Sequence, residues 1–512
     1  MAAAPSLMIV GSYTMPSPTS ELINQLRAQA DLHPDTPALS GAREMTLAEL
    51  LDLAERLAGS LSRSMAPAVA WTLDESWRWV VTDLACLIAG RVAVPVPAFF
   101  TAAQKAATLA QIGHYLWVGE SVRELPQPAS RMGSPLEMPI AGLRGFEVND
   151  DQHAVGFPPG TSKVTFTSGS TGNPKGVCLS DHLLTQVATS VNARLGDAHA
   201  ARAQLALTPL AVLLENVTGL YRALLAGGVY ILSGPGQRPV TGSSQFCIQR
   251  LKAALQRHRP GLMIATPRML SAMTAQAPHP AFECLSFVAV GGAPLPLSAL
   301  LAARAAGIPA YQGYGLSECG SVVSLNTPDD DGPDTVGRPL PHVTTSISAT
   351  GELIVSGAGR SGYLGDNARP NHGVHTGDQA RVDREGRLHF GGRIGQRIIT
   401  DMGRNVAPEW VEATLEQAAP GLTACAIEHD GGIAAVIDAG NLNEAPIARA
   451  VATANAALPD YAQIRHWVTA TAGFSVANGC LTGTGRPRRA QIAARYAALL
   501  AKTALEEPCS PS

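Results

Sequence analysis

Val164-Thr165-Phe166-Thr167-Ser168-Gly169-Ser170-Thr171-Gly172-Asn173-Pro174-Lys175-Gly176-Val177 places β-branched and aromatic residues directly before a loop dense in glycine and hydroxyls. The first part reads as a strand and the second as a phosphate cradle. Gly169 and Gly172 let successive backbone N–H groups turn toward one anion, Thr167, Ser168, Ser170 and Thr171 add hydroxyl donors, and Lys175 adds positive charge. A Walker A loop requires G-x-x-x-x-G-K-[ST]. Here Lys175 follows Asn173-Pro174 and precedes Gly176, which disfavours a P-loop NTPase.

On either side of this stretch the pattern is that of an α/β protein. Thr46-Leu47-Ala48-Glu49 is a capping box, opening a helix in which Leu47, Leu50, Leu51, Ala54, Leu57 and Ala58 form one apolar stripe. Residues 68–71 and 92–96 read as buried strands flanking a helix over 77–89, the alternation of a parallel sheet. It recurs over 205–208, a helix over 217–225 and a strand over 229–232. It recurs again over 262–265, a helix from Pro267 and a strand over 285–290. The Gly/Pro/Ser-rich residues 233–244 read as a loop. Beyond Arg393 a separate pattern of short strands and amphipathic helices begins, with Pro408 in the first turn of one helix and an alanine-rich helix over 491–505. The expected organisation is a large domain of parallel-type sheets flanked by helices over 1–392, and a small α+β domain over 393–512.

Composition sets limits. A chain of 512 residues is too long for a single core. A net charge of −3 gives no electrostatic footing for nucleic acid or an acidic membrane. No apolar run reaches the roughly 18 residues that span a bilayer, and residues 1–18 lack the basic start of a secretory signal. Eight cysteines without a C-x-x-C pair fit reduced thiols and a cytoplasmic setting.

Further motifs follow in order: Gly291-Gly292-Ala293-Pro294 after the apolar residues 287–290, Tyr311-Gln312-Gly313-Tyr314-Gly315-Leu316-Ser317-Glu318, Thr376-Gly377-Asp378, Gly392-Arg393, and the segment from Gly403 to Glu412. With the phosphate cradle, they resemble the adenylate-forming (AMP-binding) superfamily over nearly the whole chain, and most of all its fatty acyl-CoA synthetases. The resemblance implies an enzyme that uses ATP and Mg2+ to turn a carboxylic acid into an acyl-adenylate, then passes the acyl group to a thiol. It implies nucleotide contacts from Thr167 to Lys175, from Gly292, Ala293 and Pro294, and from Gln312, Gly313, Tyr314, Gly315 and Ser317. In it, Glu318 is the metal ligand, Asp378 accepts from the ribose hydroxyls and Arg393 donates to ribose or α-phosphate. Lys175 and Glu318 are also expected to take part in catalysis. The C-terminal domain of such enzymes rotates between the two half-reactions, and Gly395 stands where their hinge residue falls.

Two departures stand out. The segment Leu481-Thr482-Gly483-Thr484-Gly485-Arg486-Pro487 carries Arg486 where the family has a catalytic lysine. Arginine keeps the charge but is planar and forked, so the exchange is not conservative. Val212 occupies the position of a histidine found in similar long-chain synthetases. The expected acyl pocket comprises Val212, Leu213, Asn216, Gly291 and Gly313, and its apolar character suggests a fatty or other hydrophobic acid. The expected acceptor is coenzyme A or the phosphopantetheine of an acyl carrier protein, with Arg488 and Arg489 either meeting its phosphate or forming a solvated basic face. Two alternatives remain open: diversion of the adenylate to a β-lactone or a nitrogen nucleophile, and a non-catalytic nucleotide- or acyl-binding protein.

Overall fold

The computed structural model describes residues 20–503 apart from 101, 122–131, 150–155, 168–174, 243–244, 294, 358, 367–372, 395–397, 400–404, 441, 459–461 and 483–484. Ser168, Gly169, Ser170, Thr171, Gly172, Pro294 and Gly395 therefore lie outside the described residues, and Arg393 is described through its backbone.

The capping box forms as expected: Glu49 N donates to Thr46 Oγ1 at 3.2 Å and Thr46 N to Glu49 Oε2 at 2.9 Å. It opens the helix Leu47–Leu61, whose expected apolar stripe is buried. Two large sheets follow. In the eight-stranded one, Ala68–Trp71 pairs in parallel with Val92–Pro95 and His114–Gly119, and the helix Trp77–Ile88 links the first two. Lys163–Thr167 joins beside Val92–Pro95, then pairs antiparallel with Lys175–Leu179. In the nine-stranded sheet, Leu262–Ala265, Phe287–Val290 and Ala310–Leu316 run parallel in register, Val290 facing Gln312. Leu262–Ala265 and Phe287–Val290 are apolar and largely buried, as a parallel sheet demands, whereas Ala310–Leu316 is only partly buried.

Two elements depart from the sequence pattern. The strand expected over 205–208 ends at Leu205, because the N–H groups of Leu207 and Thr208 donate to the buried Glu215 carboxylate instead of a neighbouring strand. The helix expected over 217–225 is a π-helix at Asn216–Tyr221 followed by one α-turn at Arg222–Leu225. The 233–244 loop also contains a two-residue strand, Val240–Thr241, paired with Gln245–Phe246.

A four-stranded sheet carries Val374–Val382 against Leu388–Arg393, with Asp378 facing Arg393. Past it, a three-stranded sheet of Thr423–His429, Gly432–Asp438 and Ile464–Thr469 packs with the helices Pro408–Ala418, Glu444–Ala457 and Arg489–Thr503. Buried apolar residues from Ile398 to Leu500 form clusters of their own.

Candidate active site

The residues that flank the expected phosphate loop, Thr167 and Lys175, stand at one point of the sheet. Thr167 faces Lys175 across the ladder, and its Oγ1 donates to the Lys175 carbonyl at 3.4 Å. The short strand Gly362–Tyr363 extends that ladder, with Tyr363 opposite Val177. Lys175 Nζ lies 3.3 Å from the centroid of the Tyr363 ring, and the Tyr363 hydroxyl donates to Glu318 Oε1 at 3.0 Å. Glu318 sits in the 3₁₀ turn Ser317–Cys319, and its carbonyl accepts from Arg360 N at 2.8 Å. Lys175, at the end of the Thr167–Lys175 ladder, and Glu318, just past the strand Ala310–Leu316 of the other sheet, are thus brought together through Tyr363.

A second corner forms around the strand Ala310–Leu316. The Tyr314 hydroxyl donates to Asp378 Oδ2 at 2.6 Å, and its ring leans on Phe390 with centroids 5.8 Å apart. Burial first, and then the Asp378 carboxylate, push the Tyr314 hydroxyl well above its ordinary pKa. Asp378 is buried, and its own N–H donates to Thr376 Oγ1 at 3.1 Å. The Gln312 carbonyl is taken by Asn326, from N at 3.0 Å and Nδ2 at 3.2 Å. Glycine is required here by close approach: a Cβ on Gly313 would stand 3.0 Å from the Ser324 carbonyl oxygen, and one on Gly315 1.7 Å from that of Ser321. Gly291 faces the Gly313 carbonyl, and Gly292 at φ +83° turns the chain into an exposed bend that includes Ala293.

Arg486 reaches this bend from the C-terminal part. Its Nη2 donates to the Gly292 carbonyl at 2.8 Å, while its backbone N donates to Thr482 Oγ1 at 3.0 Å. Nearby, Ser298 Oγ donates to Gln417 Oε1 at 3.0 Å. Arg489 is not part of a solvated basic face. Its guanidinium pairs with Glu412 Oε1 at 2.8 Å and Glu409 Oε1 at 3.3 Å, and the Glu412 charge strengthens its hold on the proton against burial.

The segment expected to line the acyl pocket divides. Val212 is half-buried at the start of a helical turn, whereas Leu213 joins the apolar core. Asn216 lies in a sealed polar knot. Lys163 Nζ is 2.8 Å from Asp83 Oδ1 and donates to the Tyr221 hydroxyl at 2.8 Å and to Asn216 Oδ1. Tyr221 in turn donates to Asp83 Oδ2 at 2.6 Å, and Asn216 Nδ2 to the same oxygen at 3.1 Å. Burial pulls the Lys163 ammonium below its ordinary pKa while Asp83 opposes the shift. Lys163, Asp83, Tyr221, Tyr363 and Arg360 were not singled out by sequence. The one available signal was the isolated opposite charges of Lys163 and Asp83, each set in an otherwise apolar element.

Over residues 26–364 the chain matches the family described as AMP-binding enzyme. The chain belongs to that family. A 2-succinylbenzoate–CoA ligase of Bacillus velezensis is 30% identical over 274 residues, a match covering 50% of this chain and 53%, about half, of the ligase. A feruloyl-CoA synthase of an Amycolatopsis species is 27% identical over 423 residues, 77% of this chain and 82% of the synthase. The fold is that of an o-succinylbenzoate–CoA synthetase from Bacillus subtilis, solved with its acyl-adenylate intermediate, with a TM-score of 0.72 over 92% of this chain and 97% of that one at 21% identity. Among the described residues, no helix is long and apolar enough to cross a membrane.

Proposed function

We propose that this AMP-binding enzyme activates a hydrophobic carboxylic acid with ATP, through an acyl-adenylate, and transfers the acyl group to the thiol of coenzyme A or a carrier protein's phosphopantetheine. The observation that carries this reading is the Arg486 contact with Gly292. It lays a cation from the C-terminal part beside the motifs expected to hold the nucleotide. Attack of a carboxylate on the α-phosphorus, with pyrophosphate leaving in line, is mainly a matter of positioning and charge neutralisation. Lys175 would neutralise phosphate oxygens, Asp378 would accept from the ribose, and Arg486 would meet charge shared between carboxylate and α-phosphate.

Glu318 has the hard oxygen chemistry that Mg2+ takes, and the ion characteristically keeps waters and phosphate oxygens as its other ligands. Among the described residues, no group of three or more His, Cys, Asp or Glu is placed to hold a metal. A single carboxylate beside the phosphates suits an ion that arrives with the nucleotide. When bound, that ion would supply charge neutralisation at the triphosphate.

The acid we favour is a fatty acid, on the apolar character of the segment around Val212. The names of the relatives make aryl-bearing acids the comparison arm of a substrate panel. We place the division between a larger and a smaller, mobile domain at residues 392 and 393, on the separate apolar clusters beyond Ile398. The described cysteines are all free thiols, which supports a cytoplasmic setting.

The test is acid-dependent pyrophosphate release. Arg486→Ala should slow it by roughly 10²-fold, the scale for removing one transition-state donor, while thioester formation from supplied acyl-adenylate stays nearly intact. Arg486→Lys should match or exceed the natural protein. An alanine variant that adenylates at the natural rate would remove Arg486 from the reaction. Absence of pyrophosphate release with every acid would leave nucleotide binding alone.

A further inference from the structure

Tyr363 belongs to none of the motifs read from the sequence, yet it touches three charged residues at the mouth of the phosphate loop. Lys175 Nζ stands 3.3 Å and Arg360 Cζ 4.0 Å from its ring centroid. Two cations over one ring at such distances would overlap on a single face, so the ring separates them. The hydroxyl donates to Glu318 Oε1 at 3.0 Å. The backbone fixes all of this. Leu364 N donates to the Gly176 carbonyl at 2.9 Å, Ser361 N to that of Cys178 at 2.8 Å, and Arg360 N to that of Glu318 at 2.8 Å. Gly176 permits the approach, since a Cβ there would stand 3.0 Å from Leu364 Cβ.

A lysine and a glutamate at one loop mouth attract each other, and a direct ion pair would occupy both. The aromatic face offers Lys175 a weaker partner. An exposed cation–π contact is worth about a two- to fivefold factor in an equilibrium, whereas a hydrogen bond to a charged group is worth about tenfold or more. An incoming phosphate oxygen therefore draws Lys175 off the ring with most of its own binding strength retained. Arg360 Nε is buried with no acceptor among the described residues, so the ring, rather than a hydrogen bond at that nitrogen, steadies its guanidinium.

We propose that Tyr363 is a positioning residue for the triphosphate: its ring keeps Lys175 and Arg360 apart and ready for phosphate, and its hydroxyl orients the Glu318 carboxylate toward a magnesium-bound phosphate. This inference rests on the nucleotide-binding part of the reading above. The experiment is calorimetry of ATP binding with and without Mg2+, alongside Tm, for Tyr363→Phe and Tyr363→Leu. Tyr363→Phe keeps the ring, so it should bind metal-free ATP as the natural protein does while losing about tenfold of the gain conferred by Mg2+. Tyr363→Leu should in addition weaken metal-free binding by roughly two- to fivefold. A purely structural role would lower Tm and weaken both conditions equally, and that result would overturn the proposal, as would an unchanged Mg2+ gain in Tyr363→Phe. A natural protein that binds no ATP would bring down the functional reading itself. ATP binding with indifferent variants would remove only the role of Tyr363.

Discussion

The Lys163 knot and the Tyr314–Asp378 corner are both buried arrangements of a hydroxyl and a carboxylate, but they are built to different ends. In the knot, Lys163, Asp83, Asn216 and Tyr221 satisfy one another in a sealed interior. The corner instead stands on the strand Ala310–Leu316, with Asp378 opposite Arg393 at the end of its own ladder. Polar groups that close on themselves hold elements together. The corner joins inner strands of two different sheets through one hydroxyl–carboxylate bond, the arrangement that the proposed nucleotide site would use. The knot ties the helix Trp77–Ile88 and the π-helix Asn216–Tyr221 to the strand Lys163–Thr167, whose end the proposed phosphate site would use.

The contrast breaks most visibly at Lys163. Lys163→Met leaves Asp83 charged and unpaired in the interior, which should cost about 3–5 kcal/mol of stability. The double variant Lys163→Met with Asp83→Leu should recover a large part of that loss. Denaturant unfolding measures both, and a single variant as stable as the natural protein would mean that the knot is not sealed.

His342 shows a buried ring without such closure. Its ring nitrogens are buried with no partner among the described residues, and burial lowers its pKa from 6.5 to about 4. A depressed pKa means that the unfolded chain takes up the proton first as pH falls. The stability contribution is therefore present above pH 6.5 and lost as pH drops through 4, amounting to at most about 3 kcal/mol. His342→Phe should flatten that part of the stability–pH curve, and an unchanged slope would show that water reaches the ring.

At the corner the expected effect moves from stability to binding. Asp378→Ala should weaken ATP binding by about 1.5–3 kcal/mol with little change in unfolding, the reverse of Lys163→Met; calorimetry showing unchanged affinity would sink the assignment. Tyr314→Phe is the mildest case. It removes one donor to Asp378 and should cost about 1 kcal/mol of ATP affinity, and a larger loss would mean that the hydroxyl also meets the nucleotide.

Much of this was legible in the chain. The capping box at Thr46 and Glu49, the apolar stripe behind it and the parallel strands around Leu262–Ala265 follow from local periodicity, which tertiary contacts reinforce. The stretch after Thr167 was readable from its glycines, hydroxyls and lysine, whereas Gly313 and Asp378 were readable only through the resemblance to the family. The Lys163–Asp83 pair was not, since its members lie 80 positions apart and nothing local marks either as the other's partner. Neither was the π-helix, because Asn216–Tyr221 carries the same apolar content as an α-helical turn and only packing distinguishes the two. Arg489 read either as a contact for the acceptor's phosphate or as a solvated basic charge, and its pairing with Glu412 became visible only in the fold. Tyr363 gave little spacing signal because two of its three partners, Lys175 and Glu318, arrive from distant segments.

The hairpin bearing Tyr314 turns on a pair of exceptions: Gly315, with no room for a side chain, and Ser321, held at φ +122°. This makes the evolvability of the molecule uneven. The hairpin is held by sterics at Gly315, whereas Val212 and Leu214 are half-buried and have open space on one side. If Val212 and Leu214 line the acyl pocket as proposed, new substrate range would enter this lineage there, while the hairpin bearing Tyr314 stayed as it is.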